Sequence, residues 1–530
     1  MKTTVVVGAG SAGGVVAARL TEDPNEHVIL IEAGPDYATV EEVPVDMKDP
    51  GQMSVTAHDW GMTAAFIEPP DSRKPESYPR GRVMGGSSSV NAAIAMRGTP
   101  EDFAGWAALG NDEWTWDDVL PFYIKLENDL DFGDKPYHGD SGPVPILRHG
   151  PDQWHPAAVA YRDAYLLRGV PDCPDVNEPG AFGVLPSPRN LLDGVRASSL
   201  VTYMRGARGR DNLEILADTS CTRIVFEGTT ATGVEVDSGG RRRFIAADRV
   251  VLSAGAIHSP QLLMLSGVGP AVTLRDLGIE VVVDSPGVGA VLEDHPIVPL
   301  VALAKHRSEF MGARAGRRLT TDIGRANGIT NDAMEFAAVL EPSTMNLDIE
   351  ASDLQAFPLI FNLSRPFSKG WLTITSSDYR VQPELHFNFL SDERDMARMA
   401  TGVRDLYTLA TETGLAEELD SIPSLTVEII QDTGAFEQWI RDTVTTGFHA
   451  STTCRMGPDG DEGAVVDQRL AVRGVDNLWI ADASVNPVIP TAFTNLSAYM
   501  VGERLAVWLQ ALGAESTARD PLGLSGRYIA

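Results

Sequence analysis

The segment Thr3–Gly34, TTVVVGAGSAGGVVAARLTEDPNEHVILIEAG, constrains the fold more than any other part of the chain. A β-branched run, Thr3–Val7, reads as a buried parallel strand and passes directly into Gly8-Ala9-Gly10-Ser11-Ala12-Gly13. A helix to about Glu22 and a second apolar strand, Val28–Ile31, ending on Glu32, complete the unit. Gly8 permits the tight turn, Gly10 lets backbone N–H groups approach a pyrophosphate, and Gly13 lets the helix lie close to the strand. The helix N-terminus offers unpaired N–H groups and partial positive charge to the phosphates. Glu32 stands where a dinucleotide fold accepts the adenosine ribose hydroxyls and repels a 2′-phosphate. The motif predicts a dinucleotide site but does not separate FAD from NAD.

A chain of 530 residues exceeds one typical domain, so two closely built domains with ample core are expected. Hydrophobic residues make up 43% and no apolar run approaches membrane-spanning length, which predicts a soluble globular protein. With 43 Lys and Arg against 73 Asp and Glu, the net charge of −30 argues against nucleic acid or an anionic membrane as partner. Cys173, Cys221 and Cys454 are far apart and form no C-x-x-C, so neither a disulfide framework nor a zinc site is expected. No H-E-x-x-H and no G-x-S-x-G occurs, which predicts no metal and disfavours a hydrolase. Lys2 with the apolar run after it imitates a secretory leader, but cleavage there would destroy the nucleotide fingerprint. A cytoplasmic protein is therefore expected.

Residues 35–79 read as a long surface excursion in which Asp59-Trp60 is a packing anchor. Then comes Gly81-Arg82-Val83-Met84-Gly85-Gly86-Ser87-Ser88-Ser89-Val90-Asn91, whose glycines and hydroxyls suit a second wall around a polar ligand or, equally, a flexible loop. Trp106–Glu127 is expected to end as a helix with Val119, Phe122 and Tyr123 on one face, and Ala157–Leu167 to form another. His138 reads as a structural residue in a turn. Leu213–Leu216, Arg223–Phe226, Val234–Val236 and Phe244–Ala246 predict a meander, after which Val250–Gly255 returns to the parallel sheet. Ser259–Ser266 is expected to be a helix opened by Pro260 and ended by Gly267. Asp294-His295 could form a catalytic pair, but a hydrogen-bonded structural histidine before Pro296 is the favoured reading. Arg314–Asn331 is basic and aperiodic, a candidate loop over a pocket, and the tail after Gly513 is expected to fray.

Four separated blocks resemble the glucose–methanol–choline (GMC) family of FAD oxidoreductases. They are the N-terminal fingerprint, the Gly81–Asn91 block, Gly255-Ala256-Ile257-His258-Ser259-Pro260-Gln261-Leu262-Leu263-Met264-Leu265-Ser266-Gly267-Val268-Gly269, and the region from His449 to Asn495. The resemblance implies a mixed α/β and α+β fold, with a Rossmann-like FAD-binding domain (1–150, 191–296 and 444–530) and a discontinuous substrate-binding domain on an antiparallel sheet (151–190 and 297–443). It implies FAD, contacted by Gly8, Gly10, Ser11, Ala12, Gly13, Glu32, Ala33, Met84, Gly86, Asn91, Cys221, Asp482, Ala483 and Asn495. Members that tether FAD covalently do so through a His just before this Asn; Val90 stands there, so a non-covalent cofactor is expected. Choline-oxidising members carry Glu after Asp-His-Pro, where this chain has Ile297, which counts against choline.

The family match makes His449 the candidate base for a small-molecule alcohol and Asn495 the donor that orients the substrate oxygen. Phe448 is the candidate substrate-pocket residue. Trp114-Thr115-Trp116, Asp131-Phe132-Gly133-Asp134, Phe387–Asp392 and His449-Ala450-Ser451 look like the corresponding runs of bacterial oxidases of 5-hydroxymethylfurfural and aromatic alcohols. Departures at Gly447 and Phe448 leave the electron acceptor open between O2 and a carrier, and a homodimer is left open as well. Competing readings are a redox-neutral hydroxynitrile lyase, a choline-type dehydrogenase and a flavin-bearing binding protein without turnover.

Overall fold

A computed structural model describes residues 1–50, 54, 57–69, 74–150, 154, 156–304, 322–326, 335–339 and 356–518. Strand Lys2–Val7 is central to a five-stranded parallel sheet, flanked by Glu26–Ile31 on one side and Arg249–Leu252 on the other. Leu213–Leu216 and Leu478–Ile480 form its edges. Val5 pairs with both Ile29 and Val250, and Val5, Val6, Val28, Leu30, Val250 and Leu252 have no exposed surface. Such uninterrupted apolar strands are what a sheet covered on both faces requires.

Placing Leu213–Leu216 in this sheet corrects the expected meander. It pairs in parallel with Glu26–Ile31, and only Ser220–Glu227, Thr230–Ser238 and Arg241–Ala246 form the antiparallel meander. Alternation within a four-residue run cannot reveal its partner. A second correction concerns Pro260, which lies inside the helix Gly255–Leu265 instead of in its first turn. The Asp482 carboxylate accepts from the Gly255 N–H (2.9 Å) and from Ser259 Oγ (2.6 Å), so a distant residue starts the helix one turn earlier. Gly267 ends it at φ +90, as expected.

The second large sheet is antiparallel and has seven strands, Gly183–Pro186, Pro296–Ala304, Asp322–Ala326, Glu335–Val339, Ala356–Leu363, Leu419–Ser421 and Thr445–Thr446. Helix Glu393–Glu412 packs on it, closely enough at Gly402 that a Cβ there would meet the Phe361 ring at 1.8 Å. Within the expected loop Arg314–Asn331, residues 322–326 are a strand and the remainder lies outside the described residues. Helix Pro156–Leu167 matches expectation, and Trp106 belongs to a separate helix, Pro100–Ala108, ahead of Trp116–Leu126. His138 is structural: its Nδ1 faces Glu127 (2.7 Å) and its Nε2 faces Asp175 (2.8 Å) in a buried ionic cluster. The C-terminal helix, Thr494–Ala518, packs on the first helix, Ser11–Leu20, and residues of the expected fraying tail beyond 518 are not among those described. Among the described residues, no helix is long and apolar enough to cross a membrane.

Candidate active site

The carboxyl ends of four parallel strands open into one cavity of about 670 Å³, lined there by Val7-Gly8, Ile31-Glu32-Ala33, Ser253–Gly255 and Asp482-Ala483. Ligands of open α/β sheets bind in this crevice, where loops diverge and helix N-termini point inward. The cavity continues to Asn91, Ile297, Phe448, His449, Phe493 and Asn495.

At the fingerprint end, Gly8 has φ +95, and a Cβ there would lie 2.4 Å from the Ser253 carbonyl oxygen. A Cβ on Gly13 would lie 1.9 Å from the Gly8 oxygen, so close packing of helix on turn requires glycine. Gly10 differs, because a Cβ there would come no nearer than 3.9 Å to any protein atom; its open space faces the cavity and suits an approaching pyrophosphate. Glu32 is buried and accepts from the N–H groups of Ala9 (3.0 Å) and Gly34 (2.9 Å). Burial pushes its carboxyl up to about 7 against those two bonds. Cys221 also lines this end, and burial pushes its thiol up to about 12, leaving it inert. Gly13 and Met84 are absent from the lining. Met84 is fully buried behind the wall, its N–H bonded to Pro35, and the turn through Gly85 and Gly86 presents Gly86 and Asn91 instead.

At the other end, Asp294 assembles a loop around His449. Its carboxylate accepts from the backbone N–H of His449 (2.8 Å) and His295 (2.6 Å), from the Tyr78 hydroxyl (2.7 Å), and from Thr446 Oγ. The chain turns through Phe448 at φ +61, a left-handed conformation that costs a non-glycine residue about 1 kcal/mol. Side-chain-free Gly447 leaves room for the imidazole, since a Cβ there would lie 2.7 Å from His449 Nδ1. His449 Nδ1 meets His295 Nδ1 at 2.9 Å, and the Phe493 ring stands edge-on to the imidazole at 4.8 Å. Burial, with His295 and Arg80 adding to it, lowers the His449 pKa well below the ordinary histidine value. The imidazole is therefore uncharged at neutral pH, with a lone pair able to accept a proton.

Asn495 sits at the start of the C-terminal helix. Its Oδ1 accepts from Ser11 Oγ at 3.0 Å, tying it to the first helix. Its Nδ2 makes no hydrogen bond of normal geometry, although it lies close enough to Tyr499 to act on that phenol. Asp482, raised above the ordinary carboxyl value by burial, is engaged with Ser259, Gly255 and the Ser484 N–H, and so shapes the wall.

Sequence reasoning missed several lining residues. His295, read as a hydrogen-bonded structural residue, is hydrogen-bonded through both ring nitrogens, to His449 and to the Pro490 carbonyl, and is also among the residues that line the cavity. Asp59 and Trp60, read as a packing anchor, line the cavity, with Trp60 4.2 Å from the His258 ring. Burial and the cations of Arg82 and Arg80 press His258 down to about 4. His258 lies inside a quoted family block and Arg80 abuts another, so their positions carried a signal, although their roles did not.

Family models described as GMC oxidoreductase match residues 3–297 and 366–502. The chain is 35% identical over 525 residues to a 5-(hydroxymethyl)furfural oxidase of Methylovorus sp. (strain MP688), covering 95% of this chain and 97% of that protein. It is 36% identical over 541 residues to the choline oxidase of Arthrobacter globiformis, covering 97% and 96%. Among solved structures, pyridoxine 4-oxidase from Mesorbium loti superposes with a TM-score of 0.85 at 29% identity, covering 96% of this chain and 99% of that one. The open glycine cradle, the Asn495 Nδ2 without a hydrogen bond of normal geometry among the described residues, and the cavity joining them fit FAD, and Val90 offers no nitrogen for a covalent tether. Fingerprint, cavity and full-length similarity converge: the chain belongs to the GMC oxidoreductase family and is an alcohol oxidoreductase that uses FAD without a covalent bond.

Proposed function

We propose that the protein oxidises a primary aromatic or furanic alcohol to the aldehyde, with His449 as the base. One observation carries this reading: an uncharged imidazole, held through Nδ1 by His295 and with no partner at Nε2 among the described residues, lines the cavity with Phe448, Phe493 and Ile297. An alcohol is a poor hydride donor while its hydroxyl keeps its proton, so a base in hydrogen-bond reach contributes on the order of 10²–10⁴ in rate. The hydroxyl proton moves to His449 Nε2, the α-hydrogen leaves with its bonding electron pair, and the C–O bond becomes the aldehyde carbonyl. Bound FAD supplies the two-electron acceptor, returned to its oxidised form by O2 or another acceptor. Asn495, held by Ser11, donates from Nδ2 to the substrate oxygen and stabilises charge developing there.

Ile297 supports an uncharged substrate, because an apolar side chain offers nothing to a trimethylammonium group. The similarity to proteins named for 5-(hydroxymethyl)furfural and pyridoxine oxidation agrees. In this reading Gly8, Gly10, Ser11, Ala12, Glu32 and Ala33, with Cys221, hold the adenosine and pyrophosphate, while Gly86, Asn91, Asp482 and Ala483 meet the flavin half. The division into an FAD-binding domain (1–150, 191–296 and 444–530) and a substrate-binding domain (151–190 and 297–443) is part of this proposal, with Thr445–Thr446 pairing into the antiparallel sheet.

The reading is tested by mixing the holoenzyme anaerobically with 5-hydroxymethylfurfural, benzyl alcohol and choline. Ring-borne alcohols are expected to bleach the flavin and yield one aldehyde per flavin, and choline to do neither. Preferential reduction by choline, or cyanohydrin cleavage with a flavin that no alcohol reduces, would contradict it.

A further inference from the structure

The two imidazoles that meet at Nδ1 are joined to a third group whose hydrogen-bonding role is fixed. His295 Nε2 lies 3.0 Å from the carbonyl oxygen of Pro490, and a carbonyl only accepts. Nε2 of His295 therefore carries the proton. Burial holds this ring neutral, so its Nδ1 has a lone pair and accepts. Across the 2.9 Å contact, the hydrogen then belongs to Nδ1 of His449. A neutral imidazole protonated at Nδ1 is bare at Nε2, the nitrogen that has no partner among the described residues.

We infer that His295 is a positioning residue that sets the tautomer of His449, through a directed chain from His449 Nδ1–H to His295 Nδ1 and from His295 Nε2–H to the Pro490 carbonyl. The inference rests on the reading of His449 as base for its consequence in catalysis, but the tautomer itself does not. When the substrate proton arrives at Nε2, His449 becomes an imidazolium that keeps its Nδ1–H bond to His295, so no reorganisation is needed at the moment of transfer. A catalytic histidine in the wrong tautomer presents a proton where the substrate needs a lone pair. The charged groups that act on the pair are Asp294, Glu293 and Asp102 from the His295 side and Arg80 from the His449 side. The Asp294 carboxylate fixes the backbone of both rings through the His295 and His449 N–H groups, so each ring is anchored at its own N–H before the Nδ1 contact is made.

Three substitutions separate this role from simple packing. His295→Leu removes both polar atoms. His295→Gln keeps an atom near Nε2 for Pro490 but none at Nδ1, whereas His295→Asn places its carbonyl oxygen near Nδ1. In anaerobic stopped-flow reduction of the holoenzyme by an aromatic alcohol, the Leu and Gln variants are expected to lose about 10- to 100-fold in limiting rate with the apparent substrate Kd unchanged. The Asn variant should recover most of that loss. Histidine-selective 15N NMR of the oxidised holoenzyme should find His449 protonated at Nδ1 and bare at Nε2, and a tautomer mixture in the Leu variant. A protonated Nε2 in the wild type, or rescue by Gln and not by Asn, would overturn the inference. The NMR result stands whether or not His449 proves to be the base, so the failure of either reading is seen separately.

Discussion

Burial pushes the Glu32 carboxyl up to about 7, and in its proposed role as ribose acceptor this group should give FAD binding a pH dependence. Its ionised form presents the acceptors that ribose hydroxyls need, and below that value the site holds a neutral carboxylic acid. If only the ionised form binds, affinity falls up to about tenfold per pH unit below about 7. Titrating apoprotein with FAD at pH 6 and pH 8 is expected to show weaker binding at the lower pH, and Glu32→Gln should remove the difference. Gly447→Ala probes the other end, since its Cβ would lie 2.7 Å from His449 Nδ1 and displace the ring. Flavin reduction should slow by at least about tenfold, a loss typical of a misplaced catalytic group, while the visible spectrum stays that of bound FAD. Because the His449 pKa is lowered by burial, the limiting reduction rate should stay flat from pH 8 down through the ordinary histidine range and fall only in stronger acid. Glu32 was legible from its spacing after the glycine fingerprint, whereas His449 was singled out only by the family resemblance. The His295 contact was not legible, because its partner lies 154 residues away and nothing local to Asp-His-Pro distinguishes a ring that faces a cavity from one that faces the core.

Two helices meet their neighbours through glycine, with different consequences. Gly13→Ala would drive a Cβ to 1.9 Å from the Gly8 carbonyl oxygen, a backbone atom at the phosphate turn that cannot swing away. Loss of FAD binding is expected, visible as a colourless purified protein. Gly402→Ala would strike the Phe361 ring at 1.8 Å, far from the glycine turn. Overpacking there should cost about 1–3 kcal/mol, read as a lower urea midpoint with an unchanged flavin spectrum. The first helix could be read from its fingerprint. The Gly402 contact was not legible, because it depends on Phe361, 41 residues earlier in a separate hydrophobic run. The misplaced Leu213–Leu216 and the misread start of Gly255–Leu265 have one cause: partners from Glu26–Ile31 and from Asp482 override local signals.

At the scale of the molecule, the two ends of the chain hold the cofactor cavity together. Gly502 lets the last helix approach the first, where a Cβ would lie 2.8 Å from the Ala12 oxygen, and Ser11 and Asn495 are hydrogen-bonded across the same seam. Fully buried Glu503 anchors that seam by accepting from Arg19 (2.8 Å), Lys125 (2.8 Å) and the Tyr203 hydroxyl (2.8 Å). Glu503→Leu leaves the partly buried Arg19 with surface-exposed Glu22 as its carboxylate partner among the described residues, and should cost about 3 kcal/mol, measured as a lowered Tm together with weaker FAD retention. Strands Lys2–Val7, Glu26–Ile31 and Arg249–Leu252 of the parallel sheet were legible because they border recognisable motifs, whereas its edge strand Leu213–Leu216 was not. The antiparallel sheet came only from the family resemblance, since its seven strands span residues 183 to 446 and no local pattern joins them. The central claim is that one imidazole drives alcohol oxidation at a flavin gripped by both chain ends. Anaerobic addition of an aromatic alcohol to His449→Ala holoenzyme tests it most directly: the account predicts a protein still yellow with bound FAD whose flavin is not reduced, and wild-type bleaching in that variant would contradict it.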